Sequence, residues 1–262
     1  MALTDPSPAV LDFAARVAEA YAKLNACGSA DAESGLGGKL FYAGELDGEG
    51  RALVGAANRA GAATLAASAD RAAQKQAVRD GIVDFLVTSL DEALRILKNQ
   101  LRKRETVAVS VAMDPAAMER EMNERGVAPD LFRGDVASAA IRDGLILEQR
   151  ECDAADLSGA PGLVVWRADS ARHTDLALLD AIALTCLDAD EWAARRWLRL
   201  APRYLGRPAQ GMRLLRAQRE FAARFSEQLK VRVERGEITF PYEIRACIGG
   251  AEEKICFDIQ KP

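Results

Sequence analysis

Three glycines, Gly44, Gly48 and Gly50, lie in a short loop between an apolar run at residues 39–43 and a small-residue stretch at 51–60. Glycine permits a tight turn and lets backbone come close to a pyrophosphate. A helix starting just after such a turn points unpaired N–H groups and its positive dipole end at the anion. A second apolar run, residues 64–68, ends at Ser68, and Asp70 follows. An acid about 20 residues beyond the loop, at the end of a second strand, suits an adenosine ribose. Gly44, Gly48, Gly50, Ser68 and Asp70 are therefore the candidate cofactor-binding residues.

The glycine spacing departs from Gly-x-Gly-x-x-Gly, and Glu45, Asp47 and Glu49 put carboxylates where a phosphate would sit. They repel it unless paired or turned away, and Arg71 is one candidate partner. The same residues also suit a glycine-rich turn with no ligand.

The remaining chemistry-bearing residues are sparse. His173 is the one histidine of the chain, which excludes an HExxH zinc site and leaves any triad a single possible base. No partner within reach of it can be read from the sequence, so whether the chain is an enzyme stays open and no catalytic residue is assigned. Cys27, Cys152, Cys186, Cys247 and Cys256 are odd in number, widely spaced and without a CxxC pair, which reads as structural thiols and no metal site. Cys247 and Cys256 fall in adjacent candidate strands. Asp84 interrupts an apolar run and suits an edge or strand end. Trp192 and Trp197 lie on a charged helix and would anchor it to the core or to a partner. The arginines at 195, 196, 199, 203, 207, 213, 216, 219 and 224 are interspersed with acids and read as a solvated face.

The elements that must position these residues alternate. Helical periodicity covers 7–26, 51–60, 71–79, a stretch opened by Ser89 and Glu92, and 114–125 behind Asp114-Pro115. Apolar runs at 39–43, 64–68, 82–88, 106–112 and 129–132 read as strands between them. The run at 82–88 is nearly continuous, as for a sheet covered on both faces. Strand and helix in alternation give an α/β fold, a Rossmann-like, mostly parallel sheet with helices on both faces. Residues 145–147 and 163–166, with a turn at 159–162 between them, add two strands. The last third reads as helices at 173–187, 190–199 and 210–230, then a β-hairpin of 237–247 and 254–259. The expected division is 1–34 as an N-terminal helical segment, 35–170 as the Rossmann-like domain, and 171–262 as helices plus hairpin.

Apolar residues make 49% of the chain and charged ones 28%, within the range of globular domains, and the net charge is −4. That acidity gives no electrostatic reason for a nucleic-acid or anionic-membrane partner. No apolar run reaches the roughly 20 residues that span a bilayer. The N-terminus lacks the pattern of a secretory signal, so the expected location is cytoplasmic. A homo-oligomer is the expected assembly.

Several of these segments resemble a known family. Gly38-Lys-Leu-Phe-Tyr-Ala-Gly44 through Gly50, then Ala56-Ala-Asn-Arg-Ala-Gly61-Ala-Ala-Thr-Leu65, is similar to the NAD-binding region of urocanase (urocanate hydratase). So are Ser89-Leu-Asp-Glu-Ala-Leu94 with the strand after it, and Glu124-Arg-Gly-Val-Ala-Pro-Asp130. The resemblance covers roughly residues 35–132. It implies NAD held at Gly44, Gly48, Gly50 and the following helix, in a family that uses NAD as an electrophile to add water to urocanate.

The chain departs from the family at three places. Leu46-Asp-Gly-Glu-Gly-Arg-Ala52 stands where urocanase has Gly-Gly-Met-Gly-Gly-Ala-Gln, and the family's strand-end glutamate falls near Ser68. Beyond Pro-Asp the family's Thr-Asp-Gln-Thr-Ser-Ala-His-Asp-Pro is replaced by Arg133-Gly-Asp-Val-Ala-Ser-Ala-Ala140. The family's substrate core and catalytic cysteine region have no counterpart. The expectation is a urocanase-like dinucleotide-binding protein without hydratase activity. The alternative is a non-catalytic assembly or regulatory protein that keeps the scaffold with an empty nucleotide site.

Overall fold

The structure is a computed structural model, and it describes residues 7–27, 30–133, 145–146, 162–168, 173–204 and 211–247. The chain forms two compact units: Asp12–Arg150 with Arg203–Pro208, and Met1–Leu11 with Glu151–Pro202 and Ala209–Pro262.

The first unit holds α1 (Pro8–Cys27) from Asp12 onward, then β1 (Leu40–Glu45), α2 (Gly48–Ala60), β2 (Ala63–Ala67), α3 (Arg71–Arg79) and β3 (Phe85–Val87). Then come α4 (Leu90–Lys103), β4 (Val107–Val111), α5 (Pro115–Glu124), β5 (Leu131–Phe132) and β6 (Leu145–Ile146). The strands form one sheet in the order β3-β4-β2-β1-β5-β6, and every pair is parallel. Alternate side chains along a strand face opposite sides. Leu65, Ala67, Val107, Val109 and Val111 therefore pack with Leu90, Ala93 and Leu97 of α4 and Met118 and Met122 of α5. Thr64 and Ser110 face the other way. Thr64 meets Asn58 of α2 at 3.5 Å, and the Gln74 amide of α3 donates to Ser110 Oγ at 3.0 Å. Helices thus cover both faces, and Thr64 and Ser110 find side-chain partners on α2 and α3.

The helix boundaries follow local chemistry. Ser89 Oγ accepts from Glu92 N–H at 3.3 Å, while the Glu92 carboxylate accepts from Thr88 N–H, one residue before the cap. Asp114 Oδ1 caps α5 ahead of Pro115, and Gly61 stops α2 at φ 101°.

The run at 82–88 differs from expectation. Only Phe85–Val87 is strand, and it lies at the sheet edge beside β4, with Phe85 and Leu86 exposed. Ile82 and Val83 are buried in the turn leaving α3, where both N–H groups donate to Ala77 O. The apolar run therefore serves two purposes, a buried turn and an edge strand. Asp84 sits at the start of that strand, its carboxylate accepting from Ala108 N–H at 2.8 Å.

The second unit holds β7 (Gly162–Ala168), α6 (His173–Thr185), α7 (Trp192–Tyr204), β8 (Met212–Ala217), α8 (Arg219–Glu234) and β9 (Tyr242–Cys247). Its three strands form an antiparallel sheet in the order β8-β7-β9. Residues 163–166 belong to this sheet rather than extending the parallel one. Residues 212–217, expected as the start of a long helix, are a strand, and the helix begins at Arg219. Leu214 and Leu215 are adjacent and both buried, which a strand covered on both faces accommodates. Of the expected hairpin of 237–247 and 254–259, residues 242–247 are a strand that pairs with β7; 254–259 lie outside the described residues, as do the turn at 159–161, Cys152 and Cys256.

Trp166 is fully buried, edge-on to Phe225 at 5.1 Å, and donates Nε1–H to Asp180 at 3.0 Å. Asp180 also accepts from Arg213 at 2.8 Å. Trp197 is buried and donates to Leu214 O at 2.5 Å, which anchors α7 to β8. Arg195 donates to Leu187 O and Asp188 O, and Arg224 pairs with Asp188. These arginines serve the fold.

Candidate functional site at the ends of β1 and β5

From β1 the chain moves to β2 on one side, and later returns to place β5 on the other. Such a reversal opens a crevice beyond the carboxyl ends of the two strands, where open α/β sheets bind ligands. Gly44, Gly48 and Gly50 all lie at the β1 end of it.

Gly44 takes φ 68°, a left-handed conformation that favours glycine, where the β1–β2 register shifts between Tyr42 and Glu45. Gly48 is the first residue of α2. At Gly50, a Cβ would stand 1.9 Å from Glu45 O, so only glycine fits. The first turn of α2 is pressed against the end of β1, as a strand–turn–helix phosphate loop requires.

Asp47 is the N-cap of α2, and its Oδ1 accepts from Gly50 N–H at 2.7 Å. The same oxygen lies 3.1 Å from Arg133 Nη1, and Arg133 Nη2 lies 3.3 Å from Glu49 Oε2. Arg133 directly follows β5, its N–H donates to Tyr42 O at 3.1 Å, and its side chain is 12% exposed against 46% for Asp47 and 60% for Glu49. The third carboxylate, Glu45, turns onto the Leu46 N–H at 3.2 Å. Two of the three acids are thus held by one guanidinium, from across the crevice. The cation on these carboxylates is Arg133; Arg71 is the first residue of α3.

Ser68 and Asp70 follow β2, whose end lies beside that of β1: Leu46 N–H donates to Ala67 O at 3.1 Å. Ser68 is buried, and its Oγ accepts from Asp70 N–H at 3.2 Å. Asp70 Oδ1 accepts from Ala72 N–H at 2.7 Å and Ala73 N–H at 3.2 Å and so caps α3. The five candidate residues therefore gather at the carboxyl ends of β1 and β2, and Asp47 and Asp70 both cap helices.

Sequence reasoning missed Arg133, which lies 86 positions from Asp47. Its signal is topological: a residue leaving the strand on the far side of the switch point faces the turn after β1.

The segment Arg125-Gly126-Val127 to Asp130 leads from α5 into β5. Arg125 joins Asp91 at the start of α4 to Glu121 of α5, and Asp130 Oδ2 accepts from Leu40 N–H at 2.7 Å. Asp130 N–H also donates to Leu40 O, so this acid fixes β5 on β1. Asp130→Ala should destabilise the first unit by roughly 1.5–3 kcal/mol, the worth of a charge-assisted hydrogen bond. Urea unfolding followed by circular dichroism measures it.

His173 is the first residue of α6. The Cys186 thiol is buried, and burial pushes its pKa up. Among the described residues no three His, Cys, Asp or Glu side chains are grouped to hold a metal ion, and no helix is long and apolar enough to cross a membrane.

A family model described as the urocanase Rossmann-like domain matches residues 17–156, more than half of the chain. The match starts within α1 and runs past β6, and so extends beyond the 35–132 stretch that carried the resemblance.

Proposed function

The chain belongs to the urocanase family through its Rossmann-like domain, and from that premise we propose that it is a non-catalytic assembly or regulatory member whose crevice no longer offers NAD a phosphate position. The observation that carries this is the Asp47 carboxylate, bound at once to the Gly50 N–H and to Arg133. The donors that would meet a pyrophosphate already hold an anion of the chain itself.

Magnitudes favour this reading. Evicting an N-cap side chain forfeits about 1 kcal/mol. A phosphate charge about 4 Å from a carboxylate is opposed by about 1 kcal/mol in water and about 4 kcal/mol near a protein surface. One guanidinium faces two carboxylates before any ligand arrives. The penalty of roughly 2–5 kcal/mol lowers affinity by about thirtyfold to several thousandfold. On the ribose side, the Asp70 carboxylate caps α3 and the Ser68 hydroxyl accepts the Asp70 N–H, where the family has a glutamate. NAD therefore does not fit the residues present.

The second reading, NAD bound without hydratase chemistry, is favoured by Gly50. The close approach of α2 to β1 keeps the backbone shape of a phosphate loop, and Arg133 supplies a cation beside it. Isothermal calorimetry and native mass spectrometry of the purified chain separate the two. The first expects no saturable NAD uptake at micromolar concentrations and no consumption of urocanate with NAD supplied. Co-purified or saturably bound NAD overturns it in favour of the second. In either reading, a homo-oligomer in the cytoplasm is the proposed state, and sedimentation measures the assembly.

A further inference from the structure

The disagreement between the fold and its phosphate position comes down to one side chain. We infer that Asp47 is an internal replacement for a bound anion, and that its carboxylate keeps a pyrophosphate group out of the crevice. The inference rests on the reading above. Asp47 Oδ1 makes the two contacts that such a ligand would make at this place, one to a first-turn N–H of α2 and one to a guanidinium. Among the described residues Glu49 pairs with Arg133; it is 60% exposed and can swing into solvent. Gly44 and Gly50 still provide the conformation and the clearance that a bare loop needs. Removing the Asp47 side chain releases the Gly50 N–H and takes one carboxylate off Arg133 without altering either glycine.

An internal anion also makes the turn independent of a ligand. In a loop held by a cofactor, the strand, the helix and the returning strand are tied together through the cofactor. Here Asp47 on α2 and Arg133 after β5 make that tie directly, across the crevice.

The test is calorimetric titration of inorganic pyrophosphate and of NAD into the whole chain and into Asp47→Gly, Asp47→Asn and Asp47→Gly/Arg133→Ala. Asp47→Gly should bind both probes at least tenfold more tightly than the parent chain, and the double variant should lose that gain. Asp47→Asn keeps a capping oxygen but not the charge, and should gain less than Asp47→Gly; it stands in if the glycine variant does not fold. A folded Asp47→Gly that, like the parent chain, binds neither probe overturns the inference and leaves the reading of the parent chain intact. Saturable NAD binding by the parent chain at micromolar concentration overturns the reading itself.

Discussion

Gly50→Ala should destabilise the first unit by about 3 kcal/mol or more, the upper range for over-packing. The added Cβ would sit 1.9 Å from Glu45 O and 3.0 Å from Glu45 C. Both are backbone atoms at the end of β1, so no side chain can rotate away. Relief requires α2 to withdraw from the sheet, and α2 is buried from Ala52 to Ala60 along most of its length. Gly48→Ala is the control. Its Cβ would meet only the Arg16 Nη1, at 3.9 Å, and the change should shift stability by less than about 1 kcal/mol. Thermal and urea unfolding by circular dichroism distinguish the two. Equal effects would mean that the first turn of α2 does not press on β1.

Asp180→Ala should destabilise the second unit by about 3–5 kcal/mol, the usual result of removing one partner from a buried ion pair. Asp180 and Arg213 are 9% and 5% exposed and 2.8 Å apart, and Trp166 donates to the other Asp180 oxygen. Burial raises the Asp180 pKa, and Arg213 and the Trp166 N–H oppose that rise. The direction that survives is upward: desolvation outweighs the attraction. The pair is then a weak source of stability, while its breakage strands a buried cation. Asp180→Leu with Arg213→Met should recover most of the loss, because an apolar pair avoids both desolvation costs. All three tryptophans, Trp166, Trp192 and Trp197, lie in the second unit, so tryptophan fluorescence follows its unfolding specifically.

The legible parts of the fold were those set by neighbours in sequence. Ser89 with Glu92, Asp114 with Pro115, and Gly61 mark helix ends through contacts a few residues long, and the structure places those ends accordingly. The alternation of strand and helix likewise sufficed for a parallel sheet with helices on both faces. Strand order did not follow from it. Phe85 and Leu86 read as interior because periodicity carries no information on which strand falls at an edge. Residues 212–217 read as helix because their apolar positions fit a 3.6 period as well as a strand; the ladder to Trp166 and its neighbours decides. The site divides in the same way. The glycines were visible as a loop, but the roles of Asp47, Asp70 and Ser68 depend on hydrogen bonds that sequence spacing leaves open. Arg133 was hidden behind the chain reversal that brings β5 beside β1.

The direct measurement is nuclear magnetic resonance of the nitrogen-labelled chain, with NAD added stepwise to millimolar concentration. If Asp47 holds the place of the phosphate, the Gly50 amide and the Arg133 side-chain N–H signals stay where they are. Saturable movement of both at micromolar NAD would show that the carboxylate yields to the cofactor, and would contradict the proposed function.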